Sequence, residues 1–92
     1  MKHMFRRKEA TRRIIMHDIL IQKIIKQWKK EAGASRVIQW TYQHGILTIY
    51  TSEAGYLIGK AGILYNKYGD MLRMKLPNFI HFRIVETASL WA

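Results

Sequence analysis

The stretch of this sequence with the most chemistry in it is Ile58-Gly59-Lys60-Ala61-Gly62. Two glycines without Cβ atoms let a foreign backbone come close, and they stand just ahead of a segment that reads as a helix. Amides at a helix start point toward anions, and Lys60 adds a positive charge, so the pattern suits holding a phosphate. A nucleotide-hydrolase P-loop does not fit: Gly55-Tyr56-Leu57-Ile58-Gly59-Lys60-Ala61 has three rather than four residues between its glycines, and Ala61 stands where Ser or Thr would meet magnesium. On the four loop residues alone, a glycine-rich helix–helix turn with no ligand is the better reading. The surrounding sequence reverses that.

Other reactive chemistry is sparse. The absence of cysteine excludes disulfides, thiolate catalysis and Cys-ligated zinc or iron–sulfur centres. His3, His17, His44 and His81 are too scattered for ligand spacing, and no Ser, His and acid arrangement points to a nucleophile. No catalytic residue, metal site or cofactor is assigned, and the chain is not read as an enzyme.

With 92 residues, 16 Lys plus Arg against 6 Asp plus Glu and a net charge of +10, the chain reads as one small domain whose natural partner is a polyanion. Nucleic acid leads and anionic membrane follows. Apolar runs such as Ile19-Leu20-Ile21 fall far short of a bilayer span. The first residues carry Lys2, Arg6, Arg7, Lys8, Arg12 and Arg13 against the single acid Glu9. No Ser precedes Ser35 and no apolar stretch with a small-residue cleavage site follows, so residues 1–15 read as a basic arm rather than a targeting signal. An interior, reducing location is expected. Such an arm is either a solvated tail or an extension threading along folded RNA, and threading is preferred here.

The elements that must position the loop follow from periodicity. Ile21, Ile24, Ile25 and Trp28 recur at helical spacing and predict a helix over 16–32, with Asp18 near its start, Lys29 and Lys30 in its last turn and Gly33 as its stop. Lys23, Lys26, Lys29 and Lys30 read as a solvated face. Residues 36–42 and 46–51 predict an antiparallel hairpin turning through Gln43-His44-Gly45. If Val37, Leu47 and Ile49 point inward, Trp40, Tyr42 and Tyr50 share the far sheet face as an open apolar patch; a register shift of one buries some of them instead. A short helix over 54–58, the glycine loop, a helix over 63–75 with Tyr65, Tyr68 and Leu72 on one face, and a strand over 79–85 complete the chain. A helical crossover makes the last strand parallel to 46–51.

The expected order is α-β-β-α-α-β: an α+β domain with a three-stranded mixed sheet and helices on one face. Here the sequence resembles a type II KH domain, with Ile58-Gly59-Lys60-Ala61-Gly62 as its Ile-Gly-x-x-Gly loop. Glu31-Ala32-Gly33-Ala34-Ser35-Arg36-Val37, Thr48-Ile49-Tyr50-Thr51, Gly55-Tyr56-Leu57-Ile58 and Ile84-Val85-Glu86 make it similar to the N-terminal KH domain of the small-subunit ribosomal protein three family, from about Asp18 to Thr87. Ala54 departs from the family's usual Pro, and Ala61 from a frequent second basic residue, which implies a weaker phosphate grip. The domain is placed at residues 16–87, with 88–92 a tail.

The resemblance implies a groove for about four nucleotides of single strand beside the loop. Its floor would come from the first short helix and the third strand, with Leu57, Ile58 and Tyr65 near it and Lys75 or Arg83 at the opposite rim. It implies rRNA or other single-stranded RNA, and neighbouring small-subunit proteins, as partners on ribosomes of the cytoplasm or mitochondrial matrix. A separate chain would supply the family's C-terminal domain. Two alternatives stand beside this: a stand-alone KH regulator or chaperone of single-stranded RNA, and a protein-interaction module using the open sheet face.

Overall fold

A computed structural model describes the backbone of residues 2–87 and the side chains of residues 17–87. Its elements are α1 (Lys2–Ala32), β1 (Gln39–Gln43), β2 (Ile46–Thr51), α2 (Ala54–Ile58), a 3₁₀ turn at Lys60–Gly62, α3 (Ile63–Lys75) and β3 (His81–Glu86). The sheet order is β1-β2-β3, β1 antiparallel and β3 parallel to β2. This is the α+β order of a type II KH fold.

Helix α1 begins at Lys2 rather than near residue 16. Lys, Arg, Met, Ile and Gln propagate a helix well enough, and neither Gly nor Pro interrupts the chain before Gly33. Asp18 therefore lies in mid-helix, where it cannot serve the N-terminal dipole end as expected, and the first turn holds no acid. The segment read as a basic arm is backbone of this same helix; the side chains of Arg6, Arg7, Lys8, Arg12 and Arg13 lie outside the described ones. The helix ends as Gly33 predicts. Gly33 takes φ +72, its N–H donates to the Lys30 carbonyl, and the Ala34 N–H donates to the Lys29 carbonyl, so two terminal carbonyls are satisfied in a Schellman motif.

Ile21, Ile24, Ile25 and Trp28 of α1 are buried against Leu47 and Ile49 of β2, Leu57 of α2, Tyr68 and Leu72 of α3, Leu76 just past α3, and Phe82 of β3. Trp28 stacks on Tyr68 with ring centroids 5.0 Å apart and meets Phe82 edge-on at 5.6 Å. Gly69, unfavourable in a helix by about 1 kcal/mol, has a packing reason: a Cβ there would lie 2.9 Å from Phe82 Cε1.

The open aromatic patch is overturned. Tyr42 pairs with Leu47 and Trp40 with Ile49, and directly opposed residues of antiparallel strands share a face. Since Leu47 and Ile49 point inward, Trp40 and Tyr42 do too, packing at the core's margin while Val37 is 77% exposed. The cause is turn length. The turn is His44-Gly45 alone, both at positive φ (54 and 79), not the three residues expected, and a shift of one residue reverses every side chain of β1. Tyr50 remains on the helix-free face, level with Gln39 and Val85. Phe79 and Ile80 fall outside β3, which begins at His81, and Ile80 is exposed while Phe82 is buried.

Candidate functional site

The loop is held from behind by a relay across the core. Helix α2 has only five residues, so its terminal carbonyls need partners from elsewhere. The Gly59 N–H donates to the Gly55 carbonyl at 3.1 Å, and the buried Trp28 indole N–H donates to the Leu57 carbonyl at 2.7 Å. Trp28 is fixed in turn by its stack on Tyr68, whose hydroxyl donates to the Glu31 carboxylate; Lys67 reaches the same carboxylate at 2.8 Å. The Lys67 hydrogen bond, then that of Tyr68, holds the Glu31 carboxyl below its ordinary pKa. Burial first, then the bond to Glu31, pushes the Tyr68 phenol up to about 12. Burial also raises Tyr42.

At the start of α2, Glu53 uses its carboxylate as a clamp rather than as a helix cap. It accepts from the Ser35 and Arg36 amides at 3.0 and 2.6 Å, tying the α1–β1 connection to the entry of α2. The two anchors fix α2 at both ends, and the loop leaves it in a defined direction.

The loop itself is a run of left-handed backbone: Gly59, Ala61 and Gly62 have φ of 77, 56 and 74. Its two glycines differ. Gly59 combines φ 77 with ψ 171, a region essentially reserved for glycine, and a Cβ there would lie 2.9 Å from Leu64 Cγ. A Cβ on Gly62 would meet nothing within 4 Å. The side chains of Lys60 and Ala61 are exposed, and the 13-residue α3 starts directly behind them with its first amides uncapped by any side chain. An open bend with room beside it, an exposed ammonium and a helix start is a geometry that can take a phosphate.

Around this bend the structure gathers Ile58, Gly59, Lys60, Ala61 and Gly62. Ile58 is 39% exposed, whereas Leu57 is fully buried and offers its carbonyl to Trp28, so its side chain serves the core. Tyr65 is half-buried with its ring 4.6 Å from that of Phe82, where α3 meets β3. Lys75 is exposed at the other end of α3, about 18 Å along the helix axis from the loop. Arg83 lies on the helix-free sheet face, its Nε donating to Thr48 Oγ1 at 3.2 Å. Two neighbours of the loop were missed from sequence: Tyr56 at 57% and Ile63 at 62% exposure. Each is a large apolar residue that the core-facing spacing leaves out, and that was the available signal. Among the described residues no cluster of His, Asp or Glu could hold a metal, and no helix is long and apolar enough to cross a membrane.

No family model and no solved structure matches the chain. Among curated proteins it is similar to small ribosomal subunit protein uS3 of Paracoccus denitrificans (strain Pd 1222), 37% identical over 78 residues that cover 79% of this chain and 31% of that protein. It is likewise similar to uS3 of Ruegeria pomeroyi, 35% identical over 78 residues with 79% and 32% covered, and of Rhodospirillum rubrum, 32% over 74 residues with 79% and 33% covered. The chain spans about a third of the length of these relatives. The likeness is to the N-terminal KH domain of uS3.

Proposed function

We propose that this chain, a type II KH domain similar to the N-terminal domain of uS3, is a non-catalytic RNA-binding component of the small ribosomal subunit. The observation that carries the reading is the exposed left-handed bend Gly59–Gly62, with Lys60 in front of α3 and open space at Gly62. The similarity to proteins named for the small ribosomal subunit supports the same assignment. In this reading the bend holds backbone phosphates and Ile58, Tyr56 and Ile63 supply apolar contact for sugars or bases. The lysines of α1 and the basic residues of 1–15, including Arg6, Arg7, Lys8, Arg12 and Arg13, add longer-range attraction to folded rRNA. Lys75 and Arg83 are assigned to outer contacts rather than to the bend. Neighbouring small-subunit ribosomal proteins are the expected protein partners, on ribosomes of the cytoplasm or the mitochondrial matrix.

The test replaces Lys60 and Ala61 together by Asp, which puts two negative charges where phosphate would sit on side chains that are already exposed. Binding to single-stranded RNA should fall about a hundredfold, about 2.7 kcal/mol, with the thermal midpoint unchanged. Unchanged affinity would remove the bend from the mechanism. Salt dependence reports the rest. A grip on about four nucleotides alone gives a log–log slope near −3, and contributions from the basic helix steepen it. Co-sedimentation with small subunits at high salt is expected; free migration without RNA would overturn the ribosomal assignment.

A further inference from the structure

We infer that the free edge of β1, with the groove beside it, receives an extended polypeptide strand bearing apolar and acidic side chains from a partner protein. The β1–β2 ladder closes on Gln43 and Ile46 around a two-residue turn. In such a hairpin the closing pair exchanges both its bonds, so Gln39, Thr41 and Gln43 use their backbone groups on β2 while Trp40 and Tyr42 direct theirs outward. Among the described residues nothing pairs with that side, since β1 is the first strand in the sheet order. Natural edge strands are usually guarded by charge, proline, a bulge or a covering element. The sequence Gln39-Trp40-Thr41-Tyr42-Gln43 has neither charge nor proline, whereas the opposite edge, β3, carries Arg83 and Glu86.

Beside this edge lies a groove of about 310 Å³ lined by Gln22, Ile25, Lys26 and Lys29 of α1, Val37 and Ile38 just before β1, and Trp40 of β1. None of its walls comes from α2, the glycine bend or α3. Lys26 and Lys29 form no ion pair among the described residues, where the two salt bridges are Lys67–Glu31 and Arg73–Asp70. Its lining is thus mixed, with Ile25, Val37, Ile38 and Trp40 apolar, Gln22 polar, and Lys26 and Lys29 two cations without an ion pair among the described residues. A polypeptide matches both features. It presents backbone donors and acceptors at the strand's own spacing of about 6.8 Å per two residues and sends alternate side chains over the groove. A ribose-phosphate chain offers acceptor oxygens to the outward N–H groups but does not repeat a donor beside an acceptor at this spacing, as the alternating N–H and carbonyl groups of an edge strand require.

The test uses the full chain, isotope-labelled for amide NMR, and three probes: a short peptide alternating Val and Glu, its Val and Lys counterpart, and a short oligouridine. The acidic peptide should shift the Trp40 and Tyr42 amides and slow their hydrogen exchange, with the basic peptide about tenfold weaker or worse. The double variant K26E/K29E should weaken the acidic peptide about tenfold and favour the basic one, while K26E alone, at an exposed position, should weaken the acidic peptide with its thermal midpoint unchanged. Equal response to both peptides, no response to the acidic one, or oligouridine displacing it from Trp40 would each overturn the proposal, the last in favour of RNA.

Discussion

Two bends in this domain use the same unusual backbone and are finished in opposite ways. At His44-Gly45 the chain folds back on its own structure: the Gly45 carbonyl accepts from the Ile80 and His81 amides at 2.8 and 3.3 Å, and a Cβ on Gly45 would sit 2.5 Å from the Asn78 carbonyl oxygen. At Gly59–Gly62 the left-handed run turns outward, with Lys60 and Ala61 exposed and open space at Gly62. Left-handed glycine alone therefore does not mark a binding site. A glycine filled in by the protein's own backbone locks two elements together, and one with space beside it leaves room for another molecule's backbone.

Replacing Gly45 by Ala should break the packed bend most severely. Left-handed strain and overlap with a backbone oxygen together cost about 3 kcal/mol, read as a lower denaturation midpoint; a loss below about 0.5 kcal/mol would show that the bend is not packed. Gly59→Ala should cost about 2 kcal/mol through its glycine-only conformation and the Leu64 contact. Gly62→Ala should cost only about 1 kcal/mol in stability, yet weaken RNA binding by more than its stability loss accounts for. Equal stability losses at positions 59 and 62 would erase the distinction between them.

The smallest effect concerns the seam behind the open bend. The Glu31 carboxyl is held below its ordinary range, so its contribution is present above the unfolded carboxyl pKa and is lost as pH falls through the lower folded value. The Tyr68 phenol, raised to about 12, contributes below its ordinary pKa and loses that contribution as pH climbs from there through about 12. The thermal midpoint should therefore decline in acid and again in strong alkali, and Glu31→Gln should flatten the acid limb. Loop amide shifts should move with that acid limb while those of His44 and Gly45 stay put.

The element order, the loop and the inward face of α1 were legible because each rests on local signals: the 3.6-residue spacing of Ile21, Ile24, Ile25 and Trp28, the glycines at 33, 59 and 62, and the alternation of β2. The face taken by Trp40 and Tyr42 was not. Both a two-residue and a three-residue turn fit the string Gln43-His44-Gly45, and the two-residue turn that forms is joined to Asn78 and Ile80, more than thirty residues away along the chain. Nor could the sequence say that Leu57 faces the core while Ile58 stays outside, since on a five-residue helix every apolar residue looks alike.

By itself, then, the sequence determined which segments form and that a charged, glycine-bearing bend joins two of the helices, because short-range propensity and hydrophobic period act between near neighbours. Which side of β1 is buried, which loop glycine has space beside it, and that Trp28 reaches across 29 positions to fasten the last turn of α2 were decided only in the assembled fold. Those are contacts between elements far apart along the chain, and no local preference specifies them.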